Sequence, residues 1–341
     1  MFQLALGTTR RRTTFATLAG TTALMLVACG SAGTEAGPSG GTAGPAKAFS
    51  RLDIMAPAAP GGGWDGTARA MAASMETADL AKAVTVKNVT GAGGTVGLAQ
   101  LANDKSDSSL MVMGLVMVGA VATNQSPASL KDVTPIARLT AEDEVLVVPK
   151  ASPYKTLDDL VNDLKARGRG VVVTGGSAGG TDHMVAGLLA KAAGVAPADL
   201  NYVPYSGGGE SLAALLGNKV AAGISGVSEY TEQIKAGTLR ALAVAGPERV
   251  AGLDAPTMTE AGYDVKLINW RGVVAPGGLS ADKTQRLVAS VTAMHDSPAW
   301  KEALAKNGWT DVFVAGDEFK TYLDGEITTT TTVLKDLGLV K

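Results

Sequence analysis

Pro60-Gly61-Gly62-Gly63-Trp64-Asp65 is the first of four glycine-rich turns in this chain. The others are Gly91-Ala92-Gly93-Gly94, Gly175-Gly176-Ser177-Ala178-Gly179-Gly180-Thr181-Asp182-His183 and Tyr205-Ser206-Gly207-Gly208-Gly209. Each precedes a run with helical periodicity, and three follow an apolar run of strand length. A helix N-terminus carries unpaired N–H groups and about half a unit of positive charge. Glycine lets a ligand come close to those groups. Several such termini facing one cleft bind a small anion with several negative groups.

Working outward from the turns, strand and helix patterns alternate. Residues 52–56, 84–89, 110–118, 145–148, 171–174, 202–203, 220–224, 239–245 and 265–275 read as buried strands. Ala68, Met71, Ala72 and Met75 share a helical face, as do Met184, Leu188 and Ala192, Leu212, Leu215 and Leu216, and Leu287, Val288, Val291 and Met294. A last helix is expected over 319–337 despite the Thr328–Thr332 run, whose helix propensity is poor. This alternation predicts an α/β fold with mostly parallel sheets. Ligands in such sheets bind beyond the carboxyl ends of the strands. Two turns precede residue 145 and two follow it, which predicts two lobes, 48–145 with 266–341 and 146–265. Residues 144–149 and 268–276 are the expected crossovers and hinges.

The ends set the context. Arg10-Arg11-Arg12 followed by the apolar stretch 15–28 reads as an export signal over 1–28, shorter than the roughly 20 apolar residues of a membrane span. It ends in Leu26-Val27-Ala28-Cys29-Gly30, which resembles a lipoprotein box with Cys29 as the lipidated residue. Cys29 is the sole cysteine, so no internal disulfide forms. Residues 29–47, rich in Gly, Ser, Ala, Thr and Pro, read as a flexible tether. The expected location is therefore the extracytoplasmic face, anchored to the membrane. The chain has 341 residues with 30 basic and 32 acidic; without the signal's three arginines the net charge is −5. Such a surface does not suggest nucleic acid as partner. With two histidines and one cysteine, no metal site or other cofactor is expected.

The turns and their flanks closely resemble the tripartite tricarboxylate transporter receptor family, the extracytoplasmic solute-binding proteins also called the Bug family. The matching segments include Pro60 to Arg69, Gly91 to Gly94, Thr134-Pro135-Ile136-Ala137 and Ser152 to Leu157. They continue with Gly179-Gly180-Thr181-Asp182-His183, Val203 to Gly208, Gly237 to Ala243 and Asn269-Trp270-Arg271-Gly272-Val273-Val274-Ala275-Pro276. Their order and spacing together are specific, and they look most like the tricarboxylate-binding branch. The resemblance implies a two-lobed periplasmic-binding-protein fold that closes on a carboxylate. It also implies delivery to a permease of one large and one small subunit. The receptor itself is expected to be a monomer. The family's binding loops map onto 62–65 and 91–94 in one lobe and onto 177–183 and 205–208 in the other.

The candidate ligand-binding residues are Gly62, Gly63, Trp64, Gly91, Gly93, Gly94, Ser177, Gly180, Thr181, His183, Tyr205, Ser206, Gly207 and Arg271. Each also has a structural reading. The glycines either hold an anion or shape tight turns. Trp64 either walls the cleft or staples the next helix. Ser177 and Thr181 offer hydroxyl donors that also suit helix capping. His183 either touches ligand or braces its loop. Arg271 either pairs with a ligand carboxylate or neutralises Glu142, Asp143 or Glu144 on the facing crossover. Asp65 and Asp182 would repel an anion and read as caps or loop braces.

An enzyme is the main rival. Gly175-Gly176-Ser177-Ala178-Gly179 satisfies the G-x-S-x-G pattern of a serine hydrolase elbow. His183 stands only six residues from Ser177, and His295 falls in an amphipathic helix beside Asp296, so neither is well placed as its base. Gly91 to Gly97 approaches a dinucleotide fingerprint but has Val96 where the third glycine belongs.

Overall fold

The sheet is organised by one long strand, whose partners change part-way along it. A computed structural model describes residues 48–341, in which ten strands and ten α-helices form. The signal, Cys29 and the tether lie outside the described residues. In chain order the elements are β1 (Leu52–Ala56), α1 (Gly63–Thr77), β2 (Val84–Asn88), α2 (Thr95–Asn103), β3 (Ser109–Gly114) and α3 (Leu115–Thr123). Then come β4 (Val133–Pro149), α4 (Leu157–Arg167), β5 (Val172–Gly175), α5 (Thr181–Ala192), β6 (Asn201–Pro204), α6 (Gly208–Leu216), β7 (Ala222–Gly226), α7 (Val227–Lys235) and β8 (Leu239–Val244). The chain closes with β9 (Ile268–Pro276), α8 (Ala281–Asp296), α9 (Pro298–Asn307), β10 (Thr310–Ala315) and α10 (Gly316–Asp336).

The strand order is β2-β1-β3-β9-β4-β7-β5-β6, with β10 and β8 also paired to β4. From Val133 to Asp143, β4 pairs with β9, and its Thr310–Ala315 partner β10 adds to the same half. From Glu144 onward it pairs with β7 and β8. Parallel pairs (β1 with β2 and β3, β5 with β6 and β7) occupy the outer parts of each half. Every pair that involves β4 or β9 is antiparallel, because these strands carry the chain back across the molecule. The sheet is therefore mixed, more so than strand–helix alternation alone predicts.

Each half has its own core. One cluster joins β1, β3, α1 and the first part of β4 with β9 and α8 to α10, including Leu52, Ile54, Met71, Met113, Trp300 and Phe319. Two others lie on the two faces of the second half: Leu146, Val173, Val185 and Ile224 in one, and Val145, Val147, Leu215 and Tyr230 in the other. Alternation along β4 explains this, since Val145 and Val147 face one way and Leu146 and Val148 the other.

Two expectations change. The apolar run 110–118 is not one strand: β3 ends at Gly114 and α3 starts at Leu115. Both elements are buried, so the run lacks the polar face that would reveal a switch in period. The strand expected at 145–148 is the end of β4, whose earlier part carries Arg138, Glu142 and Asp143 and so hides its strand character. The threonine run does form helix. Thr328, Thr331 and Thr332 each donate to the carbonyl four residues earlier, at 3.1, 2.7 and 3.0 Å.

Candidate functional site

The carboxyl ends of β1, β5, β6 and β7 lead into loops that converge on one cleft between the two halves. A cavity of about 80 Å³ there is lined by residues of all four glycine turns and by Asp182, Ser225, Glu229, Asn269 and Arg271. That is room for on the order of six waters, and so for a small solute.

The first half contributes α1 and the turn at 91–94. Asp65 braces the α1 turn. Its Oδ2 accepts from Gly61 N and from Arg69 Nε, both at 2.9 Å, and its Oδ1 accepts from Asn88 Nδ2 at 2.9 Å. Burial works to raise its pKa, but these bonds outweigh it and the carboxyl sits below its ordinary value. Asp65 thus ties the turn down without capping α1. In the second turn Gly93 and Gly94 have φ of +63° and +87°, which glycine adopts without strain. A side chain at Gly94 would also strike Trp64, which both lines the cleft and packs in the core.

The second half contributes the loop before α5 and the turn before α6. Asp182 Oδ2 accepts the Gly176 N–H at 2.6 Å, so it braces that loop while lining the cavity. Burial raises its pKa to about 7, with the Gly176 bond opposing and the charges of Glu229 and Glu142 adding. His183 Nδ1 accepts the Gly179 N–H at 3.1 Å, and its ring stacks on Tyr202 at 4.1 Å. Burial lowers the His183 pKa to about 4, so the ring is neutral at pH 7. His183 braces the loop and is not part of the cavity wall.

Other candidates are also placed behind the wall. Gly180 N–H already donates to the Ser177 carbonyl at 2.9 Å. Thr181 is fully buried and donates to Asn269 Oδ1 at 3.4 Å. Tyr205 packs its ring on the Val145 and Tyr230 cluster. By contrast Gly62, Gly63, Trp64, Gly91, Gly93, Gly94, Ser177, Ser206, Gly207 and Arg271 all line the cavity. Ser177 is half-buried, and its hydroxyl has no protein partner among the described residues.

Acids cluster at the cavity wall (Asp182, Glu229) and behind it (Glu142, Glu144). Arg271 pairs with Glu142, both almost wholly buried. Glu142 Oε2 accepts the Ser228 hydroxyl at 2.6 Å. Glu144 is fully buried, and neither carboxyl oxygen has a hydrogen-bond partner among the described residues. Burial, with the charges of Asp182, Glu142 and Glu229, pushes its pKa well up, which favours the neutral acid. Glu229 accepts from Gly63 N at 2.9 Å and from the Ser225 hydroxyl at 2.8 Å. Glu229 and Ser225 escaped the sequence reading. Their only signal is Ser225-Gly226 at the end of an apolar run, a further glycine that opens a helix.

The sequence of the folded part decides the affiliation: residues 67–339 match the model of the "Tripartite tricarboxylate transporter family receptor". The chain belongs to the tripartite tricarboxylate transporter receptor family. It is 30% identical to the protein BugT of Bordetella pertussis over 84% of this chain and 89% of that one. It is 30% identical to a UPF0065 protein of Agrobacterium vitis over 77% of this chain and 76% of the relative. Among solved structures, the periplasmic binding protein BugD aligns with TM-score 0.76 and 25% identity, over 85% of this chain and 98% of that one. MatC from Rhodopseudomonas palustris with bound malate aligns with TM-score 0.74 and 25% identity, over 83% and 99%. The two-lobed fold is that of periplasmic binding proteins.

A family of receptors does not favour the hydrolase reading, and the geometry agrees. His183 is engaged by Gly179 and Tyr202, and His295 pairs with Asp296 and Asp311 on the first half. Neither histidine bonds Ser177. Family membership also places the folded part outside the cytoplasm. Among the described residues no helix is long and apolar enough to cross a membrane.

Proposed function

We propose that this receptor captures a di- or tricarboxylate, citrate-like in its charge, between lobes 48–145 with 266–341 and 146–265. The supporting observation is the convergence of glycine-opened helix starts from both halves on one small cavity. The malate reported for MatC is a ligand of this class. The ligand's carboxylates meet the 91–94 turn, the Ser177 hydroxyl and the 206–207 turn. Arg271 acts on them through its charge, since its guanidinium is held by Glu142. Closure between the halves buries the ligand, and the liganded receptor docks on a permease of one large and one small subunit. A lipid on Cys29 anchors the receptor, a monomer, to the membrane. No cofactor takes part.

A thermal-shift screen of the receptor against di- and tricarboxylates, followed by calorimetry, tests this reading. A ligand at 100 times its dissociation constant adds about 2.7 kcal/mol of stability. No shift with any of them would move the ligand outside this class.

A further inference from the structure

A protein carboxylate already occupies the N-terminus of α1. Glu229 lies on α7, 166 residues along the chain, and reaches across the cleft to accept the Gly63 N–H at 2.9 Å. Its second oxygen accepts the Ser225 hydroxyl at 2.8 Å. Both oxygens are engaged as acceptors; burial and the charge of Glu142 push the carboxyl's pKa up, and the charge of Arg271 with the bonds from Ser225 and Gly63 opposes them. The fit is close on both sides. A Cβ on Gly208, at the start of α6, would collide with Glu229, and one on Gly63 would meet Arg271 and Glu229. The carboxylate therefore sits between two glycine helix starts, one from each half, while still lining the cavity.

We propose that Glu229 determines specificity by acting as a resident anion: it holds the α1 position and requires the ligand to present a hydroxyl or other hydrogen-bond donor there, not a carboxylate. This rests on the carboxylate reading above and narrows it. The remaining donors, in the 91–94 turn, at the Ser177 and Ser206 hydroxyls and at Gly207 N, take the ligand's carboxylates; the Ser206 N–H already donates to Glu210 Oε2 at 2.9 Å. A carboxylate pushed toward α1 would face Glu229, which the charges of Asp182 and Glu142 already reach, and one guanidinium already paired. A hydroxyl in the same place donates to Glu229 in a charge-assisted bond. Ligand pairs that differ by one hydroxyl should therefore be separated by this residue.

The test is calorimetry with two such pairs, malate against succinate and citrate against propane-1,2,3-tricarboxylate, on the wild type and Glu229→Gln. Glutamine keeps an oxygen for Gly63 and turns an N–H₂ toward Ser225 and the ligand. In the wild type the hydroxy acid of at least one pair should bind about tenfold more tightly than its partner. In Glu229→Gln that ratio should fall at least fivefold, mainly because the plain acid gains affinity. A variant that binds only the plain acids would support the proposal equally. Both proteins binding with the same ratio would overturn it and leave the carboxylate reading intact. Failure of both proteins to bind all four acids would overturn the two readings together.

Discussion

Arg271 on β9 and Glu142 on β4 form an ion pair in which the side chains are 3% and 2% exposed. It stands where β4 changes partners, one residue pair from the start of the second half. Glu142 also accepts the hydroxyl and, at 3.4 Å, the N–H of Ser228 at the start of α7. The pair thus ties the crossover strands to a helix of the opposite half.

Removing one partner strands the other in a site that also holds Glu144, Asp182 and Glu229. We expect Arg271→Met to destabilise the protein by about 3–5 kcal/mol, the usual cost of an orphaned buried charge. Glu142→Gln keeps an acceptor for Ser228 and removes a negative charge near Glu144, so it should cost less. Urea denaturation of both variants checks the order. Equal losses would mean that the pair acts by shape and not by charge.

Asp182 gives the stability a pH dependence of definite sign. Its folded pKa, about 7, lies above the ordinary 3.8 because it is buried. The folded state therefore holds a proton that the unfolded state has released between those values, and stability falls as pH rises from about 4 to about 7. His183, with a folded pKa of about 4 against 6.5, works in the opposite direction and loses stability as pH falls through that window. Asp182→Asn removes the first effect, relieves Glu144 of one neighbouring charge and keeps an acceptor for Gly176. Its stability relative to wild type should rise by on the order of 2–4 kcal/mol between pH 4 and pH 7 and stay level above. Denaturant titrations at a series of pH values read this, and a pH-independent difference would contradict the assignment.

How far the site was legible depends on whether the signal was local. The glycine turns were readable because conformation and N–H supply are set by a few adjacent residues, and the strands that lead to them alternate visibly with helices. Burial of Gly180 and Thr181 behind the wall was not readable, since Ser177 and Asn269 complete their bonds and the second lies 88 residues away. Arg271 left two partners open, and only the register of β4 on β9 brings Glu142 to it. Glu229 was invisible for the same reason: its partner Gly63 is 166 residues distant. The split of 110–118 into β3 and α3 failed differently, because full burial erases the periodicity on which sequence reading relies.

Ser177 isolates the ligand's share of one hydroxyl. Because that group bonds no protein partner among the described residues, Ser177→Ala should leave thermal stability without ligand unchanged. A lost hydrogen bond of about 0.5–1.5 kcal/mol corresponds to a two- to tenfold weaker carboxylate affinity. Calorimetry on the hit from the ligand screen measures it. An unchanged affinity would remove Ser177 from the binding set and leave the backbone turns to hold the anion.

Gly119 tests closure itself. It lies on α3 in the first half, and a Cβ there would run into the carbonyl oxygen of Gly179, in the loop before α5 of the second half. Backbone on both sides leaves no flexible side chain to yield. Thr123, one turn further along α3, also reaches that loop through the Ala178 carbonyl at 3.4 Å. Gly119→Ala should therefore oppose the approach of the halves while fitting within α3, where alanine is the better helix former. If the halves part when ligand leaves, the closed state alone is penalised. A ligand that binds only that state loses affinity in proportion to its reduced population. We expect at least a tenfold loss of affinity, with the melting temperature of the ligand-free protein changed by only a few degrees. Calorimetry beside a thermal melt separates the two effects. A large drop in melting temperature would show that the contact belongs to the fold at all times, and that the halves do not separate at α3.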